Sequence, residues 1–415
     1  SHRVDSSGGM LTIARNQGSQ GTYNLQGGTL EADVENNDLF NMQGGNYFGD
    51  FINNDLFRYY DGNFYGELIN NGSIYLYDHF NALYGLTNNS SLTVSSLRTL
   101  SASSGNIDNN GALSITGGRL EARNISNRIN NYGQLSATNG TILGAGLFNN
   151  YGRLSLSNGA LILENTGGSA NYGTIDLSAG LQLRLNGSDL ENIGTINLNH
   201  GLITGSEALS NIAGGTISGS GTITAGLSNA GGRIVVTGGT TRINSGFSNS
   251  GQILLTDELA SLSGETITNT GTIEGLGGIG NNVANTGILE AKSGTLTFSG
   301  GVNNNAGGMI TAGAGAKILM TSGLSGNSGI INLTGGTFDN NGRALTNDEQ
   351  ISGHGIIRTG GLTNNDTVTL TGGTSTVNGD VINNGTLTTA HTPVTFTGDF
   401  VNNGTFKNTE TTVTF

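Results

Sequence analysis

Short runs of alternating apolar and polar residues, bounded by Asn and Gly, fill the chain from end to end. Val368-Thr369-Leu370 and Val394-Thr395-Phe396 are two of them. Period-two alternation over so few residues predicts β-strands, and no apolar stretch repeats with the 3.6 period of a helix. Between the runs a turn recurs, Asn-x-Gly-Thr-apolar. It reads Asn383-Asn384-Gly385-Thr386-Leu387 and again Asn402-Asn403-Gly404-Thr405-Phe406. Its third position marks about 21 landmarks from Gly21 to Gly404, spaced roughly 16 to 22 residues apart, the range in which short repeats build solenoids.

Two blocks align without gaps. Gly21, Asp38, Asp55 and Gly72 are 17 apart. That spacing puts Tyr23, Phe40, Phe57 and Ile74 in one column and Leu25, Met42, Tyr59 and Leu76 in a second. Leu30, Tyr47 and Phe64 form a third, and Val34, Phe51 and Leu68 a fourth. Asp366, Gly385 and Gly404 are 19 apart and stack Val368, Leu387 and Phe406, then Val377, Phe396 and Phe415. The expected fold class is all-β: a single-stranded parallel β-helix, or β-solenoid, of about 21 rungs. Each rung holds two or three short strands around a thin apolar core. Rungs about 4.8 Å apart make a rod of about 100 Å. Corners such as Asn384-Gly385 and Asn403-Gly404 then lie above one another, where Asn amides can bond from rung to rung. Asn and Gly there are expected to supply left-handed backbone. A β-sandwich would lack stacked, near-identical rungs.

Residues 1–20 are read as an irregular N-terminal coil containing a strand at Leu11-Thr12-Ile13, and residues 21–415 as one continuous solenoid open at its C-terminal end. Phe415 is equivalent to Phe396, so the last rung stops partway. A longer repeat array or an end-to-end contact between copies would account for that. In the second case Leu11, Ile13, Val413 and Phe415 are the expected interface.

Composition narrows the function classes. The chain has 415 residues with 72 Gly, one Pro, no Cys and 11% charged residues, and its net charge is −13. The three lysines are scattered and there is no basic stripe, so nucleic acid is not an expected partner. No apolar run approaches the roughly 18 residues of a membrane helix, so this segment is not expected to insert in a membrane. About half of all aromatic residues lie between residues 38 and 84. Alternation sends most of them inward and leaves Phe48, Tyr60, Tyr65, Tyr75 and Tyr77 outward, a candidate contact patch for sugar rings or another protein. Tyr132, Tyr151 and Tyr172 share one corner position and should form a short ladder.

Candidate chemistry is sparse. Asp380 and Asp399 stack in register and lie about 5 Å apart on adjacent rungs, close enough to share a cation or a proton. No Lys or Arg accompanies them, and Asp is a common turn residue. His2, His79, His200, His354 and His391 fall in unrelated rungs without metal-ligand spacing. The Gly-Gly-x-Gly-x-Asp calcium nonapeptide does not occur, and Gly275 to Gly280 has no strand-to-helix context for a phosphate loop. No catalytic, cofactor or metal residues are assigned.

The turns Asn109-Asn110-Gly111-Ala112-Leu113 and Thr116-Gly117-Gly118-Arg119-Leu120 resemble those of large bacterial surface proteins. These are autotransporter passengers and filamentous-haemagglutinin-like adhesins, and the likeness is one of repeat pattern over nearly the whole chain. The resemblance implies a right-handed β-helix, secreted or displayed at the cell surface. It implies a non-enzymatic structural or adhesive rod whose partners are extracellular glycans, a host or neighbour-cell surface, or further copies of itself, head-to-tail or lateral. The secretion cap and membrane barrel of such proteins are not seen here. Two other readings are a self-polymerising filament subunit and a β-helix that binds or cleaves polysaccharide.

Overall fold

A computed structural model describes residues 4–13, 21–164, 167–180 and 182–415. It is all-β, with no helix among the described residues, and its parallel stacked coils form a β-solenoid of about 21 turns. Among the described residues no helix is long and apolar enough to cross a membrane. The chain divides into two compact units, one ending at Leu209 and one beginning at Ser210. Part of the expected N-terminal coil, residues 1–3 and 14–20, lies outside the described residues. Strand Val4–Ile13 pairs in parallel with strand Thr29–Asn36, its register shifting between Asp5 and Met10.

A representative coil of the first unit runs through Arg128–Asn131, Gln134–Thr138 and Thr141–Gly144. The next coil repeats it as Leu147–Asn150, Arg153–Ser157 and Ala160–Leu163. All three pairs are parallel and in step, with Ile129 over Phe148, Leu135 over Leu154 and Ile142 over Leu161. Those six side chains are buried, and the alternate residues face outward. The pleat makes this selection: successive Cβ atoms point to opposite faces, so one residue in two reaches the interior.

The aromatic columns expected near the N-terminus are the observed register. Tyr23, Phe40, Phe57 and Ile74 pair in sequence, as do Leu30, Tyr47 and Phe64. Phe40, Tyr47, Phe51, Phe57 and Phe80 are almost wholly buried, and their rings meet edge-on or tilted. In these coils two strands fuse into one bent strand, as in Leu39–Phe48 and Leu56–Tyr65. The bend comes at a register shift around Gln43, and Gly44, Gly45 and Gly62 take positive φ there.

Two buried tyrosines keep a polar tip satisfied. Tyr47 donates its hydroxyl to the Asp50 carbonyl at 2.8 Å, and Tyr59 donates to Gly62 at 2.5 Å. Burial holds the Tyr47 phenol far above its ordinary range, with Asp33 and Asp50 adding to it. Burial, then Asp61 and Asp78, push the Tyr59 phenol up to about 12. Both groups keep their protons more tightly folded than unfolded. Their contribution is therefore complete below the unfolded value near 10 and is lost as pH rises through the folded value. Alkaline titration followed by phenolate absorbance should show a late fraction of tyrosines that ionises together with loss of β-structure in these coils. Simultaneous ionisation of all tyrosines, with β-structure retained, would contradict it.

The second unit follows the same plan. Val368 lies over Leu387 and Leu387 over Phe406, while Val377 lies over Phe396. Here too, long bent strands such as Ile330–Asp339 and Gln350–Arg358 join two faces of a coil.

Candidate functional site

Two side-chain ladders run along the Asn-x-Gly corner, one inside the coil and one outside. In the first unit the inner ladder passes through Asn36, Asn53, Asn70, Asn88, Asn109, Asn131, Asn150, Asn171 and Asn192, all fully buried. From Asn36 to Asn171 each Nδ2 donates to the Oδ1 of the next rung at 2.7 to 2.8 Å. Several also donate to carbonyls of the corner itself, as Asn150 does to Gly152 at 3.2 Å and to Thr174 at 3.0 Å. In the second unit the ladder runs from Asn211 to Asn402 with donor distances of 2.6 to 2.8 Å. A primary amide suits this place because it carries donors on one side and an acceptor on the other, so each rung satisfies the next.

The outer ladder occupies the following residue. Asn54 donates to Asn37, Asn71 to Asn54, Asn89 to Asn71 and Asn110 to Asn89, all exposed. The sequence candidates Asn384 and Asn403 stand in this exposed ladder, Asn403 donating to Asn384 at 3.0 Å and Asn384 to Asn365 at 3.1 Å. The inner-ladder residues are their predecessors, the buried Asn383 and the exposed Asn402, bonded at 2.7 Å. Gly385 and Gly404 do not take left-handed backbone, which corrects the expectation from turn chemistry. A Cβ on Gly404 would lie 2.2 Å from the Gly385 carbonyl oxygen, and one on Gly385 would lie 2.1 Å from that of Asp366. Close approach between rungs, not φ, selects glycine there. Left-handed non-glycine residues sit elsewhere, at Asn139 and Asn158 of the next turn in their coils.

After Asn110 the outer ladder changes chemistry. Tyr132, Tyr151 and Tyr172 follow it, with ring centroids 4.9 Å apart and planes within 4°. Their exposures are 51, 44 and 47%, so half of each ring remains open to solvent. Burial, then the Asp108 carboxylate, raises the Tyr132 phenol above its ordinary value.

The five aromatic candidates of the contact patch resolve into two stacked pairs and a neighbour. Phe48 lies on Tyr65 with centroids 4.5 Å apart, and Tyr60 on Tyr77 at 4.4 Å with planes 2° apart. The bend at Gln43 separates the segment carrying Phe48 from the one preceding it. Tyr75 is exposed beside Tyr77, and its backbone pairs with Arg58 on one side and Thr93 on the other. Arg58 Nε and Asn41 Oδ1, on adjacent rungs of that face, are buried atoms without a hydrogen-bond partner. Asp61 and Asp78 make the surroundings acidic.

Charged clusters that the sequence did not single out lie on outward strand faces. Lys292 bridges Glu274 at 2.6 Å and Glu290 at 3.2 Å. Those two carboxylates, Glu274 first, hold the Lys292 ammonium above its ordinary range. Arg153 meets Asp176 at 2.7 Å. The signal was the spacing of these residues at rung intervals, hidden because the intervals vary.

The remaining candidates are spoken for locally. The Asp380 carboxylate accepts the Asp399 backbone N–H at 2.9 Å, so it caps the turn of the next rung. His79 Nδ1 accepts the Thr99 N–H at 3.0 Å, and His391 faces Glu410 at 3.1 Å. Among the described residues no three His, Cys, Asp or Glu side chains converge to hold a metal ion. Leu11 is half-buried and Ile13 buried. Val413 is half-buried, and the exposed Phe415 stacks on Phe396 at 5.6 Å. No family model, curated protein or solved structure matches this chain.

Proposed function

We propose that this chain is a non-enzymatic structural and adhesive segment of an extracellular bacterial surface protein or fibre. The observation that carries the reading is the outward placing of the stacked pairs Phe48–Tyr65 and Tyr60–Tyr77, of which Phe48, Tyr60 and Tyr77 are exposed and Tyr65 is half-buried, on a parallel framework. Aromatic side chains lose little entropy on contact and present both an apolar body and, in Tyr, a polar tip. Repetition along the rungs supports many weak contacts at once, and avidity then exceeds the affinity of any one of them. The resemblance of the turns to autotransporter passengers and filamentous-haemagglutinin-like adhesins supports the extracellular setting and a right-handed coil. The buried Asn ladder supports a structural role, since it fixes the rungs without metal or disulfide.

The contact surface is assigned to Phe48, Tyr60, Tyr65, Tyr75 and Tyr77. Replacing all five by Ser should lower avidity for intact cells and for glycan-coated surfaces by about a hundredfold. The circular dichroism of the β-structure should stay unchanged, because these side chains face outward. Binding that survives the five replacements would remove the surface from the account.

A further inference from the structure

We propose that a groove on the outer face of the first unit holds a neutral pyranose chain lying along the direction of stacking. The groove is a cavity of about 190 Å³ lined by Ser114, Gln134, Ser136, Arg153 and Ser155. That is smaller than the roughly 300 Å³ at which drug-sized pockets begin, and fits one sugar ring with its neighbours extending along the rungs. The inference does not rest on the reading above: it concerns other residues, and the groove is present wherever the chain resides.

The floor follows from the strand pleat. Ser114, Ser136 and Ser155 pair in register on three consecutive rungs and point outward, so their hydroxyls recur at the rung spacing of about 4.8 Å. Ser114 lies 3.5 Å from the Thr116 hydroxyl. Among the described residues, the hydroxyls of Ser136 and Ser155 and the side-chain amide of Gln134 make no hydrogen bond and are open to a ligand. Each is both donor and acceptor, the complement of sugar hydroxyls, which are also both.

The border supplies the apolar part. Tyr132 and Tyr151 stand two residues before Gln134 and Arg153, at the corner beside the groove, and Tyr172 continues the stack. Parallel rings with centroids 4.9 Å apart are offset rather than sandwiched, so strips of ring face remain for the C–H surface of a pyranose.

Charge decides between neutral and acidic sugars. Arg153, the cation in the lining, spends its Nε on Asp176 at 2.7 Å, and Asp176 also accepts from Asn197 at 2.7 Å. The guanidinium charge is matched, so a carboxylate on the ligand gains no unpaired cation.

The test is affinity electrophoresis of the whole chain through gels containing a soluble glucan, mannan or galactan, with a polyuronate gel as charge control. At least one neutral polymer should retard the wild type, and the polyuronate should not. Ser136→Leu fills the groove at an outward position and should weaken retardation at least tenfold with unchanged circular dichroism and thermal midpoint. Replacing Tyr132, Tyr151 and Tyr172 by Ser should do the same. Tyr60→Ser with Tyr77→Ser should leave retardation intact, which separates this groove from the other aromatic surface. Absence of retardation in every neutral gel, retardation that survives Ser136→Leu, or preference for the polyuronate would overturn the proposal.

Discussion

Asn150→Ala lowers the stability of the first unit by about 3 kcal/mol, at roughly 1 kcal/mol for the one accepted bond and for each of the two amide N–H groups. Asn150 Oδ1 accepts from Asn131, and its Nδ2 is shared among Asn171 Oδ1 and the carbonyls of Gly152 and Thr174. Alanine removes all of these and leaves the facing groups buried and unpaired, since this column is shut off from solvent. Asn150→Asp is worse despite its shape. A carboxylate accepts but does not donate, so it would face the Asn171 and carbonyl oxygens with negative charge. A solenoid couples each coil mainly to its neighbours. Hydrogen exchange should therefore accelerate first in 128–157 and 169–176 and spread outward. The exposed control is Tyr151→Ala, one residue on, which should shift the thermal midpoint little. Equal effects of Asn150→Ala and Tyr151→Ala would contradict the role of the inner ladder.

Gly271→Ala destabilises the second unit by about 3 kcal/mol, the upper range for overpacking. The added Cβ would stand 2.1 Å from the Gly251 carbonyl oxygen and 2.7 Å from the Ser250 carbonyl carbon, both backbone atoms. The Gly251 oxygen accepts the Thr272 N–H at 2.9 Å, so moving it aside breaks the bond that starts the next strand. Gly326→Ala is the matched control. Nothing lies within 4 Å of its added Cβ, its φ is not in the left-handed region, and the change should stay within about 0.5 kcal/mol. Thermal or urea unfolding of the two variants measures the contrast. A Gly271→Ala protein as stable as Gly326→Ala would show that the rungs are not packed as closely as described.

Some rungs at this corner do carry a Cβ, as Asp38, Asp55 and Asp366 show. Their turns differ. In many glycine corners two successive N–H groups reach the buried Asn carbonyl, as Thr270 and Gly271 reach Asn249, although at Gly72 and Gly329 only the first does. In the Asp corners one does, as Asn54 reaches Asn36. Glycine permits the second contact, which the Asp55 and Asp366 corners do not make.

This distinction marks how far the sequence could be read. The strand columns were legible because alternation and constant spacing are one-dimensional signals: Tyr23, Phe40 and Phe57 fall together by counting alone. The corner ladder was legible in kind but not in position. In Asn383-Asn384-Gly385 the two amides look alike, yet one is buried and the other exposed. Variation between rungs was the available clue. The inner place stays Asn throughout, whereas the outer one becomes Tyr132, Ser250 or Thr270. The aromatic patch was legible as a set of outward residues but not as two pairs, because the bend at Gln43 is a backbone irregularity that alternation does not encode. The groove over Ser136 had no sequence signal. It exists because small residues on three rungs, spaced by 22 and 19 residues, are brought level by the register.

The most direct test of the stacked parallel register uses engineered cysteines, for which a chain without cysteine offers a clean background. Thr369 and Thr388 pair in register on adjacent rungs and are half-buried on the outer face. With Cα atoms about 4.8 Å apart they are within disulfide range. Thr369 and Thr386 are offset by two residues, about 8 Å apart by the same spacings, and out of range. Thr369→Cys with Thr388→Cys should oxidise to an intramolecular disulfide in the folded protein, and Thr369→Cys with Thr386→Cys should not. Faster closure of the offset pair, or closure of neither, would contradict the parallel in-step stacking of the second unit, the same arrangement on which the ladders, the aromatic surface and the groove are built.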